Sequence, residues 1–166
     1  MKKTLTKAQK SDVLELDEMQ HWLPGGWSLV ARRKNKRWVW LASKTYLSAE
    51  EPARSSRTAL ADLEGAIGSR GEETCRLLWQ RVPKRYKRCL LYSDFWDAYQ
   101  KVLPDEQHEA TGKGAGQTCH VERFNNILRQ RLGRFVRKTL SFSKCDLMHE
   151  LCLRLFLHEH NKHCLR

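Results

Sequence analysis

Val13-Leu14-Glu15-Leu16-Asp17 is the stretch on which the fold turns. Leu14 and Leu16 fall on one face of an extended chain, and Val13, Glu15 and Asp17 on the other. That period of two marks a short, half-buried strand ending in an acid. Residues 1–12 before it are polar and read as a flexible lead. After it, Pro24-Gly25-Gly26 signals a turn and Trp27-Ser28-Leu29-Val30-Ala31 reads as a second strand. A basic, hairpin-like stretch over 32–37 then leads into Trp38-Val39-Trp40-Leu41-Ala42, a strong β segment of aromatic and β-branched residues.

Over residues 43–71 the pattern blurs. Residues 48–57 resemble a loop, and 58–67 fit a helix or a poor strand. Residues 73–82 place Leu78, Trp79 and Val82 at helical spacing, and Pro83 stops them. Cys89-Leu90-Leu91-Tyr92 is an apolar run of the central-strand type. It ends at Ser93-Asp94, and Phe95-Trp96-Asp97-Ala98-Tyr99 opens a helix. Residues 105–119 are polar, with Gly112, Gly114 and Gly116, and read as a mobile loop. Residues 120–137 form an amphipathic helix with Val121, Phe124, Leu128, Leu132 and Phe135 on one stripe. A last helix over 144–160 carries Leu147, Leu151, Leu155 and Phe156. Three early strands, a helix, a strand and later helices predict an α/β fold.

The 166 residues suit one domain with a real core. Lys and Arg number 31 against 19 Asp and Glu, a net charge of +12, and nucleic acid is the commonest partner of such a surface. The basic start continues into polar residues, unlike a signal peptide. No apolar run approaches the roughly 18–20 residues that span a bilayer. A cytoplasmic protein without a membrane partner is expected. The six cysteines contain no CxxC pair and read as reduced, mostly buried thiols. His158, His160, His163 and Cys164 lack a preceding ligand pair at zinc-finger spacing and read as solvent-facing residues.

Asp17 and Asp94 stand at or near strand ends, and Glu122 opens the basic helix. A carboxylate after a buried strand is desolvated and best tolerated beside a cation. Three such groups on separate elements can hold two Mg²⁺ ions ~4 Å apart, able to activate an attacking oxygen and steady a leaving one. Taken singly, an Asp after a strand is also an ordinary cap and a Glu in a first turn an ordinary partner of the helix dipole. Asn126 and Arg129 share the Glu122 face, which would put acid and base beside one phosphate.

The stretch His120-Val121-Glu122-Arg123-Phe124-Asn125-Asn126-Ile127-Leu128-Arg129-Gln130-Arg131-Leu132, continued by Arg137-Lys138-Thr139-Leu140-Ser141-Phe142-Ser143-Lys144, resembles the signature of bacterial insertion-sequence-one type transposases. So do Glu15-Leu16-Asp17-Glu18-Met19, residues 34–42, residues 72–79 and residues 92–99, in the family's order. The resemblance implies a ribonuclease-H-like mixed sheet flanked by helices over 13–143, with 144–166 a C-terminal helix packed on it. It implies a DDE-type site in which Asp17, Asp94 and Glu122 bind Mg²⁺ or Mn²⁺, two ions and no nucleotide cofactor, with Arg129 as the basic catalytic residue. The chemistry implied is nicking at the transposon end, then in-line attack of the freed 3′-hydroxyl on target DNA. A companion or fused N-terminal zinc and helix-turn-helix region, and assembly of several copies on DNA, are implied too. This sequence departs from the family pattern at 20–26 and again over 43–71, where the family carries a short strand that completes a meander.

Arg123, Asn126, Arg131, Arg134, Arg137 and Lys138 on the long helix and its exit are candidate DNA contacts, as are Arg32, Arg33, Lys34, Lys36 and Arg37. The same basic runs also suit plain solvated faces. Two other readings stay open: a non-catalytic DNA-binding remnant and a structure-specific nuclease of the same fold.

Overall fold

The computed structural model describes residues 12–22, 36–46, 61–112, 114–136, 143 and 145–164. One mixed sheet holds β1 (Asp12–Trp22), β2 (Lys36–Tyr46), β3 (Ala61–Gly68), β4 (Leu90–Ser93) and β5 (His108–Ala110), in the order β3-β2-β1-β4-β5. The first three strands form an antiparallel meander, and β4 and β5 continue it in parallel. The helices are α1 (Glu72–Arg81), α2 (Asp97–Val102), α3 (Cys119–Arg131) and α4 (Asp146–Cys164).

The alternation of β1 sorts two cores. Leu14 and Leu16, with Trp40 and Ala42 of β2, pack against Leu78, Val82, Tyr86 and Tyr99 on the side of α1 and α2. Met19, Val39 and Leu41 pack with Val121, Phe124, Leu128, Leu153 and Leu157 beneath α3 and α4. Helices therefore cover both faces, and the central strands are buried on each side.

Residues 61–68 settle as a strand although their composition is poor for one. The reason is what packs on them. A Cβ on Gly65 would lie 2.9 Å from Leu157 Cδ1, and one on Gly68 would collide with Thr74 at the start of α1. Both helices thus approach the backbone of β3 directly, which small residues permit. Its outer edge is closed by Asn161 of α4: Leu63 N–H donates to Asn161 Oδ1 at 2.9 Å, and Asn161 Nδ2 donates to Leu63 O at 3.0 Å. An edge strand capped this way offers less to another chain.

Four sequence expectations change. The 105–119 loop contains β5, placed by Leu91 N–H donating to Gln107 O and Thr111 N–H donating to Ser93 O. The helix predicted to reach 137 ends at Arg131, and Gly133–Phe135 turns as a 3-10 segment that still buries Phe135. A glycine there disfavours α-helix by about 1 kcal/mol relative to alanine. Of the described cysteines only Cys75 and Cys89 are buried, while Cys119 and Cys145 are exposed. Of the histidines expected to face solvent, His163 does, whereas His158 and His160 are half-buried on α4, with the His160 ring edge-on against Phe124, 4.9 Å between centroids. The second strand expected at 27–31 lies outside the described residues. Among those described, no helix is long and apolar enough to cross a membrane.

Candidate functional site

Glu15, Asp17 and Glu18 give β1 three acids in four positions, and each meets a different fate. Glu15 is buried on the α3 side. Its Oε2 accepts the backbone N–H groups of His120 and Val121, both at 3.0 Å, and its Oε1 lies 2.7 Å from His120 Nδ1. The unpaired N–H groups and dipole of a helix start suit a buried carboxylate. Glu15 thereby locks the first turn of α3 to β1.

That lock sets the neighbours. Two residues along the same face, Asp17 accepts a hydrogen bond from Asn125 Nδ2, one helical turn after Val121. Glu122 lies in the first turn of α3 and accepts from Thr118 Oγ1 at 3.0 Å. Asp94 follows β4 immediately, the strand paired with β1, and its Oδ1 accepts the Trp96 N–H at 3.0 Å. A cavity of about 420 Å³ opens between β1 and α3, lined by Asp17, Glu18, Trp38, Glu122, Asn125, Asn126 and Arg129 among others. The face predicted for Glu122, Asn126 and Arg129 is the face that lines it.

The Asp17 carboxyl is pushed up to about 7, chiefly by burial, then by the Glu18 charge, and to a smaller extent by Asp94 and Glu122. A hydrogen bond to the Glu18 backbone opposes the rise. Asp94 and Glu122 thus each lie within electrostatic reach of the desolvated Asp17. Among the described residues, no three His, Cys, Asp or Glu side chains stand close enough to grip a single ion as they are. The donor chemistry nevertheless fits a hard divalent cation: all-oxygen ligands, and an Asp whose ionised form burial and like charge both penalise.

Glu18 points to the opposite side of the sheet. Arg70 donates to its Oε1 through Nε and Nη2, at 3.0 and 2.8 Å, and the Tyr99 hydroxyl donates to its Oε2 at 2.8 Å. The Arg70 guanidinium is itself placed between Trp38 and Trp96, 4.5 and 3.7 Å from the ring centroids. Burial raises the Glu18 pKa despite these partners. The sequence reading assigned no role to Glu15, Glu18, Asn125 or Arg70. A signal existed for one of them: alternation puts Glu18 on the Leu14–Leu16 face, and a Glu at a core position demands a cation or donor.

Of the candidate DNA contacts, Arg123 and Arg131 are exposed on α3, Asn126 is exposed at the cavity, and Arg134 is half-buried. Arg37 is engaged by Asp146 of α4 through two hydrogen bonds at 3.0 and 2.9 Å. Lys36 opens β2. Arg32, Arg33, Lys34, Arg137 and Lys138 lie outside the described residues.

The family model described as IS1 transposase matches residues 15–163 of the chain. The chain is 31% identical over 148 residues to the insertion element iso-IS1n protein InsB of Shigella dysenteriae, an alignment covering 89% of this chain and 95% of that protein. Over 147 residues it is 27% identical to the insertion element IS1 4 protein InsB of Escherichia coli (strain K12), covering 89% and 76%. No solved structure matches the chain.

Proposed function

Because the chain belongs to the IS1 transposase family, we propose that Asp17, Asp94 and Glu122 form a DDE-type acidic site that binds Mg²⁺ or Mn²⁺, two ions, and directs cleavage and strand transfer of DNA. The observation that carries this is the cavity that Asp17, Glu122, Asn126 and Arg129 line together, with Asp94 ending the strand beside β1. An antiparallel meander continued by two parallel strands, with Asp17 on β1 and Asp94 directly after its neighbour β4, supports a ribonuclease-H-like fold.

Bound divalent ions would supply Lewis-acid activation of the attacking oxygen and charge compensation at the leaving one. The chain's own residues do the rest. Glu15 holds α3 in register so that Glu122 faces the Asp17 side. Asn125 orients the Asp17 carboxylate. Asn126 and Arg129, one and two turns along the same helix face, offer an amide and a positive charge to a phosphate. Exposed Arg123 and Arg131, with the other basic residues named above, would position the DNA backbone without reading bases. Recognition of the element's ends is assigned to a companion or fused N-terminal region, and several copies would act together on DNA.

Donor DNA carrying the element's own ends, incubated with Mg²⁺ or Mn²⁺, tests the reading. Strand-transfer products are expected, and Asp94→Asn removes them while DNA binding persists. Activity surviving in Asp94→Asn would overturn the metal assignment. Cleavage without transfer would mark a nuclease of this fold, and salt-sensitive binding alone a remnant.

A further inference from the structure

Phe95 is the one aromatic among the strongly exposed large hydrophobic residues described, with 63% of its surface in water. It directly follows Asp94 at the end of a central strand. Leaving so large an apolar ring in solvent forgoes burial that every comparable ring nearby obtains.

The turn carrying it is firmly held. Trp96 N–H closes onto Asp94 Oδ1 at 3.0 Å, and Trp96 Nε1 donates to Arg70 O at 3.0 Å. Arg70 covers the Trp96 ring, and Tyr99 N–H donates to Trp96 O at 3.0 Å. On the other flank, Thr111 N–H donates to Ser93 O at 2.8 Å, bringing Gly112 alongside: a Cβ there would sit 3.7 Å from Phe95 Cε2. Beyond it Gly114 and Gly116 would meet nothing within 4 Å. The ring is thus fixed at its base by a rigid turn, bordered by the Gly112 backbone and otherwise open to solvent.

We propose that Phe95 is a stacking platform for an unpaired nucleobase of the strand whose phosphodiester is presented to Asp94. The ligand class is single-stranded or locally unpaired DNA, bound by an aromatic face that tolerates any base. The proposal rests on the DNA-cleaving site described above. It also explains how a protein whose basic residues contact only phosphates would hold one nucleotide in place: the phosphate is fixed by charge, the base by the ring.

The test uses the full chain and a short single-stranded oligodeoxynucleotide containing 2-aminopurine, with an abasic strand of equal length as control. Wild-type protein is expected to quench 2-aminopurine and to bind the base-containing strand about tenfold more tightly than the abasic one. Phe95→Ala and Phe95→Leu should both lose the quenching and bind the two strands alike, while abasic binding stays at the wild-type level. Quenching and base preference retained in Phe95→Ala would overturn the proposal. So would a Phe95→Leu variant that behaves as wild type, since that points to an apolar contact with protein. None of these readings needs catalysis, so retained activity in Asp94→Asn would sink the metal assignment without touching this result, and the reverse holds.

Discussion

The helices α3 and α4 both cover the same side of the sheet, yet only α3 buries the stripe its sequence advertises. Val121, Phe124 and Leu128 are fully buried, as periodicity predicts. On α4 the apparent stripe Leu147, Leu151 and Leu155 faces solvent, at 66%, 47% and 63% exposure, while His149, Leu153, Leu157 and Asn161 go inward. Apolar residues lie all round α4, so spacing alone cannot choose a face. Polar anchors choose it: Ser143 Oγ lies 2.9 Å from His149 Nδ1, and Asn161 takes both edge groups of Leu63. The anchors also run in opposite senses. A strand carboxylate, Glu15, reaches into the start of α3, whereas α4 sends an amide into a strand edge.

The largest expected effect separates the two stripes of α4. Leu153→Ala should cost about 2–5 kcal/mol in denaturant unfolding, and Leu155→Ala no more than about 0.5 kcal/mol. Equal costs would mean that the buried face has been misassigned.

On the α3 side the expected effect is electrostatic. The folded protein keeps the Asp17 proton up to about 7, whereas the unfolded chain releases it near 3.8. Folded chains therefore hold more protons across that window, and the contribution to stability, complete below pH 3.8, is lost as pH rises through about 7. Asp17→Asn stays neutral throughout. Relative to wild type it should gain stability between pH 4 and pH 8, on the order of 2 kcal/mol, read as a difference in unfolding midpoints. A flat difference would show that Asp17 carries no such penalty.

Smaller again is Asn161→Ala, which leaves the N–H and C=O of Leu63 without their partner. A loss of about 1–2 kcal/mol is expected, with faster hydrogen exchange confined to β3. Unchanged exchange at Leu63 would remove the amide from its anchoring role.

What the sequence disclosed follows from the range of the forces involved. The alternation of Val13 to Asp17, the apolar run into Asp94 and the Glu122–Asn126–Arg129 face are local patterns that the structure keeps, but β1 runs on to Trp22, so Asp17 sits within the strand and not at the end expected for it. β3 was obscure because its small residues answer to Leu157, remote in sequence, and to Thr74 of the following helix, rather than to any strand preference of their own. The Glu18–Arg70–Tyr99 cluster joins residues 52 and 81 positions apart, so only the oddity of an acid on a core face hinted at it.

Titration calorimetry with Mn²⁺ probes most directly whether three acids from β1, β4 and α3 serve one cation site. Wild-type protein should bind Mn²⁺, and Asp17→Asn, Asp94→Asn and Glu122→Gln should each weaken binding by about tenfold or more, because affinity follows the number of charged ligands. Mn²⁺ uptake that is indifferent to all three substitutions, or absent from the wild-type chain, would contradict the account.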